Sequence, residues 1–236
     1  MNPVGESIQL SLREIAAERE RRAAHPALAG SVAQVKQFQH ARFSHTYADL
    51  LADARYAKPA RFFLDDLYGP TDFAQRDAQF ARVVPALVRT FSKDIVATVA
   101  QLGRLHALSE RLDSAMGQHL IDVASRAASA PALDGKAYAE AWRAVGEPAA
   151  REEQIALMLD VGGALDRYTR NPLLRNSLRL MRVPAKAAGL GSLQRFLETG
   201  FDTFRAMGGA DEFLATIAGR ERGVAASLFA GRDMPD

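Results

Sequence analysis

Apolar residues recur at three- and four-residue intervals along nearly the whole of this 236-residue chain, and two-residue alternation is nearly absent. Residues spaced that way share one face of an α-helix, whereas strands need alternation, so the chain is predicted to be all-α. Ile8, Leu12 and Ile15 form one such stripe over 7–24. Val35, Phe38, Phe43, Tyr47 and Leu50 supply another over 32–54. Ile95, Val99, Leu102 and His106 follow at four, three and four residues in a helix over 94–111. Further helices are predicted over 60–68, 72–90, 114–128, 136–145, 148–168, 173–181, 190–207 and 210–229. The boundaries come from breakers: His25-Pro26, Gly69-Pro70, Asp134-Gly135, Gly146 ahead of Pro148, and Asn171-Pro172. Asp72 with Gln75 three residues on reads as a capping box, and Pro85 is expected to bend the helix it opens.

Composition narrows the class. Hydrophobic residues make up 48% and charged residues 25%, enough to build a core under a solvated surface. Lys+Arg total 30 against 28 Asp+Glu, a net charge of +2, so the basic pI near 9.0 rests on a small excess and implies no polyanionic partner. The absence of cysteine excludes disulfides, thiolate metal sites and thiol nucleophiles. No apolar run approaches the ~18 residues of a membrane span, and the N-terminus lacks the layout of a signal peptide. The expectation is a cytoplasmic protein with no membrane contact.

Few residues point to chemistry. His106, on an apolar stripe, is either a core histidine satisfied by one hydrogen bond or an axial ligand, since neutral imidazole suits haem iron. Asp65, Asp66, Asp72 and Asp77 form an acidic group without EF-hand spacing and read as caps and surface charge. His40 and His45 lie about 140° apart around a helix and share no ligand. Arg175, Arg179 and Arg182 make a basic stripe without aromatic interleaving, so nucleic acid is not the expected partner. Walker, GxGxxG, GxSxG and Glu-x-x-His patterns are all missing.

The string LGRLHALSERLDSAMGQHLIDVASRA resembles the proximal region of bacterial globins of the single-domain and flavohaemoglobin type. In that family a helix ends after the ligand histidine, a short loop follows, and the next helix opens on Gly-x-x-Leu; His106, Gly117 and Leu120 match. The segment DGKAYAEAWRAVGEPAAREEQIALML resembles the last globin helix, with Trp142 at its aromatic position. Upstream, HTYADLLADARYAKPARFF is similar to the stretch bearing the distal tyrosine. The resemblance implies Tyr47 and Gln79 as hydrogen-bond donors to bound ligand. It also implies Phe62 or Phe63, Val83 and Leu102 as the apolar walls of a haem slot, with His106 as metal ligand. The motif FFLDDLYGP separately resembles an uncharacterised bacterial family of helical proteins.

From the resemblance follows a globin-like helical bundle over 1–170 with extra C-terminal helices over 171–236 packed on it. Its implied cofactor is haem, and its implied role is to bind or sense a diatomic gas rather than to turn over a substrate. The alternative is a haem-free helical interaction module, a homodimer whose contact surface includes Phe196 and Phe204.

Overall fold

The computed structural model describes residues 3–67, 74–126 and 133–232, and every regular element among them is helical. In chain order these are α1 (Pro3–Ala24), α2 (Pro26–Thr46), α3 (Ala48–Ala52), α4 (Ala57–Arg61) and a π-helical turn (Phe62–Leu67). There follow α5 (Ala74–Thr90), α6 (Lys93–Ala124), α7 (Gly135–Val145), α8 (Pro148–Thr169) and α9 (Pro172–Leu180). The chain ends with α10 (Arg182–Ala187), α11 (Gly191–Met207) and α12 (Asp211–Phe229). The fold is all-α, as the spacing dictates. No helix among the described residues is long and apolar enough to cross a membrane.

Most boundaries fall where the breakers lie. Asp134 caps α7, its carboxylate accepting from Ala137 N at 2.8 Å. Asn171 caps α9 through Leu173 N at 2.9 Å, and Pro148 and Pro172 begin their helices, where no N–H is needed. The capping box at Asp72 lies outside the described residues.

One expected break is missing. The helices predicted over 94–111 and 114–128 are a single helix, α6, of 32 residues. Residues 111–115 contain neither glycine nor proline, and Leu112, Asp113 and Ser114 are buried. A loop there would leave interior backbone groups without partners. The loop after His106 that the globin resemblance implies is therefore replaced by continuous helix.

Helix α6 is the axis of the molecule. Helices α1 and α2 pack along it, α7 and α8 pack beside it, α11 and α12 pack on α8, and α5 joins α1 to α11. Gly117 lies in mid-helix where α2 crosses α6, not at a helix start. A Cβ there would stand 2.7 Å from Val32 Cγ2 and 3.2 Å from Val32 N, so only glycine admits this approach. Ser31 Oγ donates to the Gly117 carbonyl at 3.0 Å across the same crossing.

The C-terminal helices complete the core. Phe204, Met207, Phe213 and Ile217 belong to one buried cluster with Tyr47, Leu50, Phe63, Leu105 and Met158. Val224 and Leu228 join Val35, Met116, Tyr138 and Trp142 in a second. The boundary expected at 170/171 thus separates no packing units: without residues 171–236 both clusters would open to water. Phe204 is fully buried, so it is not free to form the intermolecular contact foreseen for it, and Phe196, half-buried, stacks on Phe62 with centroids 5.5 Å apart.

Candidate functional site

The apolar stripe of α6 changes character halfway along. After His106 it continues at four, three and four residues into Glu110, Asp113 and Gly117, and both carboxylates are buried. Four other helices bring polar side chains to meet them: Lys36, Gln39 and Arg42 from α2, Trp142 from α7, Arg151 and Gln154 from α8, and Glu221 from α12. Together they enclose a cavity of about 70 Å³ between the two apolar clusters. Each charge carries a desolvation penalty of several kcal/mol unless it is paired and hydrogen-bonded.

Two of the three carboxylates are well provided for. Glu110 accepts from Lys36 Nζ at 2.6 Å and from Arg22. Burial pushes its carboxyl up, but Lys36, His106 and Arg22 outweigh burial and hold it at about 2. Glu221 accepts both arms of Arg42, at 2.5 and 3.0 Å, and the Tyr47 hydroxyl at 2.7 Å. Burial and the Glu221 charge push the Tyr47 phenol far upward, so it stays neutral as a donor.

Arg151 and Asp113 are different. Arg151 is 3% exposed, and its guanidinium meets only neutral partners: Gln154 Oε1 at 3.3 Å and the Met116 sulfur at 3.3 Å. It stacks over the Trp142 ring, 3.7 Å from the centroid. Among the described residues no carboxylate lies within ion-pair distance of it, and burial drives its pKa down. Asp113, 6% exposed, accepts from Gln39 Nε2 at 3.0 Å and forms no ion pair with a described residue; burial drives its pKa up. Three buried N–H donors in this wall have no acceptor: Nε of Arg151, Nε of Arg42 and Nε1 of Trp142. Orphaned buried donors are rare in native interiors, and they concentrate where a ligand or water completes the set.

His106 stands where this cavity meets an apolar cleft of about 140 Å³. The cleft is walled by α1, α5, α6 and α11, with Phe80, Val83, Leu102, Leu193 and Phe196 among its lining. His106 Nε2 lies 3.0 Å from Asp77 Oδ2, and Arg19 donates to the same carboxylate oxygen at 2.6 Å. Burial raises the Asp77 carboxyl, but His106 and Arg19 more than offset it and hold it at about 2.

The residues assigned to a haem slot do not converge. His106, Val83 and Leu102 share the cleft. Gln79 is buried outside the cleft's lining, with Oε1 accepting from Leu193 N at 2.9 Å, which fixes the start of α11. Tyr47 is tied to Glu221 and lines a separate small apolar pocket with Leu50 and Phe63. The Phe62 ring lies against Gly200, where a Cβ would come within 2.8 Å of it. Phe63 packs against Phe204 and Phe213, with centroids 5.9 and 5.6 Å away. The nitrogen that His106 extends furthest from its own helix already faces a carboxylate. The cleft is also smaller than the roughly 300–1,000 Å³ of pockets for drug-sized ligands. The residues present do not fit a haem.

Other sequence features resolve into structure. Arg175 pairs with Asp202 at 3.0 Å and Arg182 with Glu198 at 2.8 Å, so the basic stripe is largely neutralised. Of the acidic group, Asp77 holds His106 and Arg19, and Asp65 lies 3.3 Å from His40. Asp72 and the Asp66 side chain fall outside the described residues. Among the described residues no three metal-capable side chains cluster.

The chain belongs to a family described as a domain of unknown function, DUF8198, whose model matches residues 18–235. That match runs across the 170/171 position without a break. No curated protein and no solved structure matches the chain.

Proposed function

We propose that this member of an uncharacterised family is a helical binding protein that holds a small polar molecule in the charged cavity beside α6. The observation that carries the reading is Arg151: a buried guanidinium that no carboxylate among the described residues contacts, stacked on an indole whose own N–H lacks an acceptor among them. A fold stabilised by packing alone is better served by apolar residues at such positions. Retaining a cation and three orphan donors around a cavity makes sense when a ligand supplies the missing acceptors.

The chain's single tryptophan makes the reading testable, because the indole of Trp142 lines the cavity. The proton–nitrogen resonance of its N–H, and its fluorescence, should respond saturably to a subset of small polar compounds spanning anions, cations and neutral molecules. If a broad panel leaves both signals unmoved, the binding reading fails.

The gas-binding haem protein implied by the globin resemblance has less support in this geometry. The expected result of a hemin titration is no Soret band that depends on His106. A band lost in His106→Ala would restore that reading.

A further inference from the structure

The cavity's two unmatched charges indicate what it takes. Among the described residues Arg151 has no carboxylate within ion-pair distance and Asp113 no cation in contact; each feels the other's charge, but burial outweighs that attraction at both. Both line the same cavity, yet they do not pair with each other. Around the cation stand donors with nothing to donate to, Arg151 Nε and Trp142 Nε1. On the other side Asp113 keeps acceptor capacity beyond its one bond from Gln39. A cavity of about 70 Å³ has room for a handful of water-sized groups and no more.

We propose that the cavity binds a small carboxylic acid bearing an amino or hydroxyl group near its carboxylate. The carboxylate sits against Arg151 and Trp142, and the donor group faces Asp113. This rests on the binding reading given above and adds the chemistry of the ligand to it. Charge-assisted hydrogen bonds from guanidinium to carboxylate are the strongest the chain can offer here. The carboxylates of Glu110, Asp113 and Glu221 in the same wall disfavour a dianion such as phosphate, because like charges at short range repel in a low dielectric. An ammonium or hydroxyl beside Asp113 relieves the one carboxylate of the three that lacks a cation in contact.

The test titrates the full chain with glycine, glycolate, acetate, methylamine and inorganic phosphate, following the Trp142 indole resonance and the melting temperature. Glycine or glycolate should bind most tightly. Acetate, which keeps only the carboxylate, should be about tenfold weaker. Arg151→Met should abolish the response to all three acids while the protein remains folded. Arg151→Lys keeps the charge but loses the Nε donor, and should weaken binding by about tenfold or more. Asp113→Asn should reduce the preference for glycine over acetate. Phosphate or methylamine matching glycolate, or Arg151→Met binding as the native chain does, overturns the proposal while leaving a binding cavity in place. Silence of the indole towards these five compounds overturns this inference, and only silence towards the broader panel overturns the reading beneath it.

Discussion

Two arginines reach the same cavity and are treated in opposite ways. Arg42 has both arms on Glu221, with Tyr47 donating to the same carboxylate, and this knot ties α2 to α12. Arg151, on α8, is withdrawn further from water but is given an amide oxygen and a thioether. The first arrangement holds helices together; the second leaves demand unmet. Burial of charge therefore does not by itself identify a functional residue; the missing contact with a counter-charge is what sets Arg151 apart. The carboxylates repeat the contrast on one helix: Glu110 is held low by cations, while Asp113, one turn on, is pushed up by burial.

The comparison can be broken most severely at the satisfied knot. Glu221→Gln leaves Arg42 buried without its carboxylate and should destabilise the fold by about 3–5 kcal/mol, measured by chemical denaturation. An effect under about 1 kcal/mol would mean that the knot is not structural. Next comes the crossing that sets α2 against α6: Gly117→Val forces a side chain against Val32 and should cost about 1–3 kcal/mol, and native-like stability of Gly117→Ala would weigh against the close approach.

The two carboxylates sharpen the contrast through pH. Glu110 ordinarily titrates near 4.5 and is held at about 2 in the fold. Its contribution is complete above its ordinary value and lost as pH falls from there toward 2. Asp113 is raised, so its burial opposes folding increasingly as pH rises above its ordinary value of 3.8. Asp113→Asn should therefore flatten the decline in stability towards neutral pH, while Glu110→Gln should reduce the loss below 4.5, leaving the share that Asp77 contributes. The smallest effect belongs to the exposed pair Arg182–Glu198: Arg182→Ala should leave the denaturation midpoint where it is, because solvent screens an exposed pair.

Much of the fold was legible in residue spacing, and the cavity was not. Helices start and stop near the prolines, glycines and capping residues, because those residues act locally on the backbone. The continuity of α6 through residue 112 was hidden, since the polar residues Ser109, Glu110 and Asp113 read as a surface break when they in fact line a cavity between helices. The cavity's groups come from five helices, and a charged residue at helical spacing normally marks a solvated face. One local signal was present: the stripe Ile95, Val99, Leu102, His106 runs on in register into Glu110 and Asp113, which places carboxylates on the buried side. The motif around His106 suggested a globin because a histidine, a glycine and a leucine at those distances also suit a histidine bonded to Asp77 and a glycine at a helix crossing.

The most direct measurement is the unfolding free energy of Arg151→Met against the native chain, in buffer free of small carboxylic acids. If the guanidinium is kept for a ligand, methionine fills its place among Met116 and Trp142 and the variant is as stable as the native chain or more so. A loss of about 3 kcal/mol or more would show that Arg151 is already satisfied within the fold, and the cavity would lose its claim to a ligand.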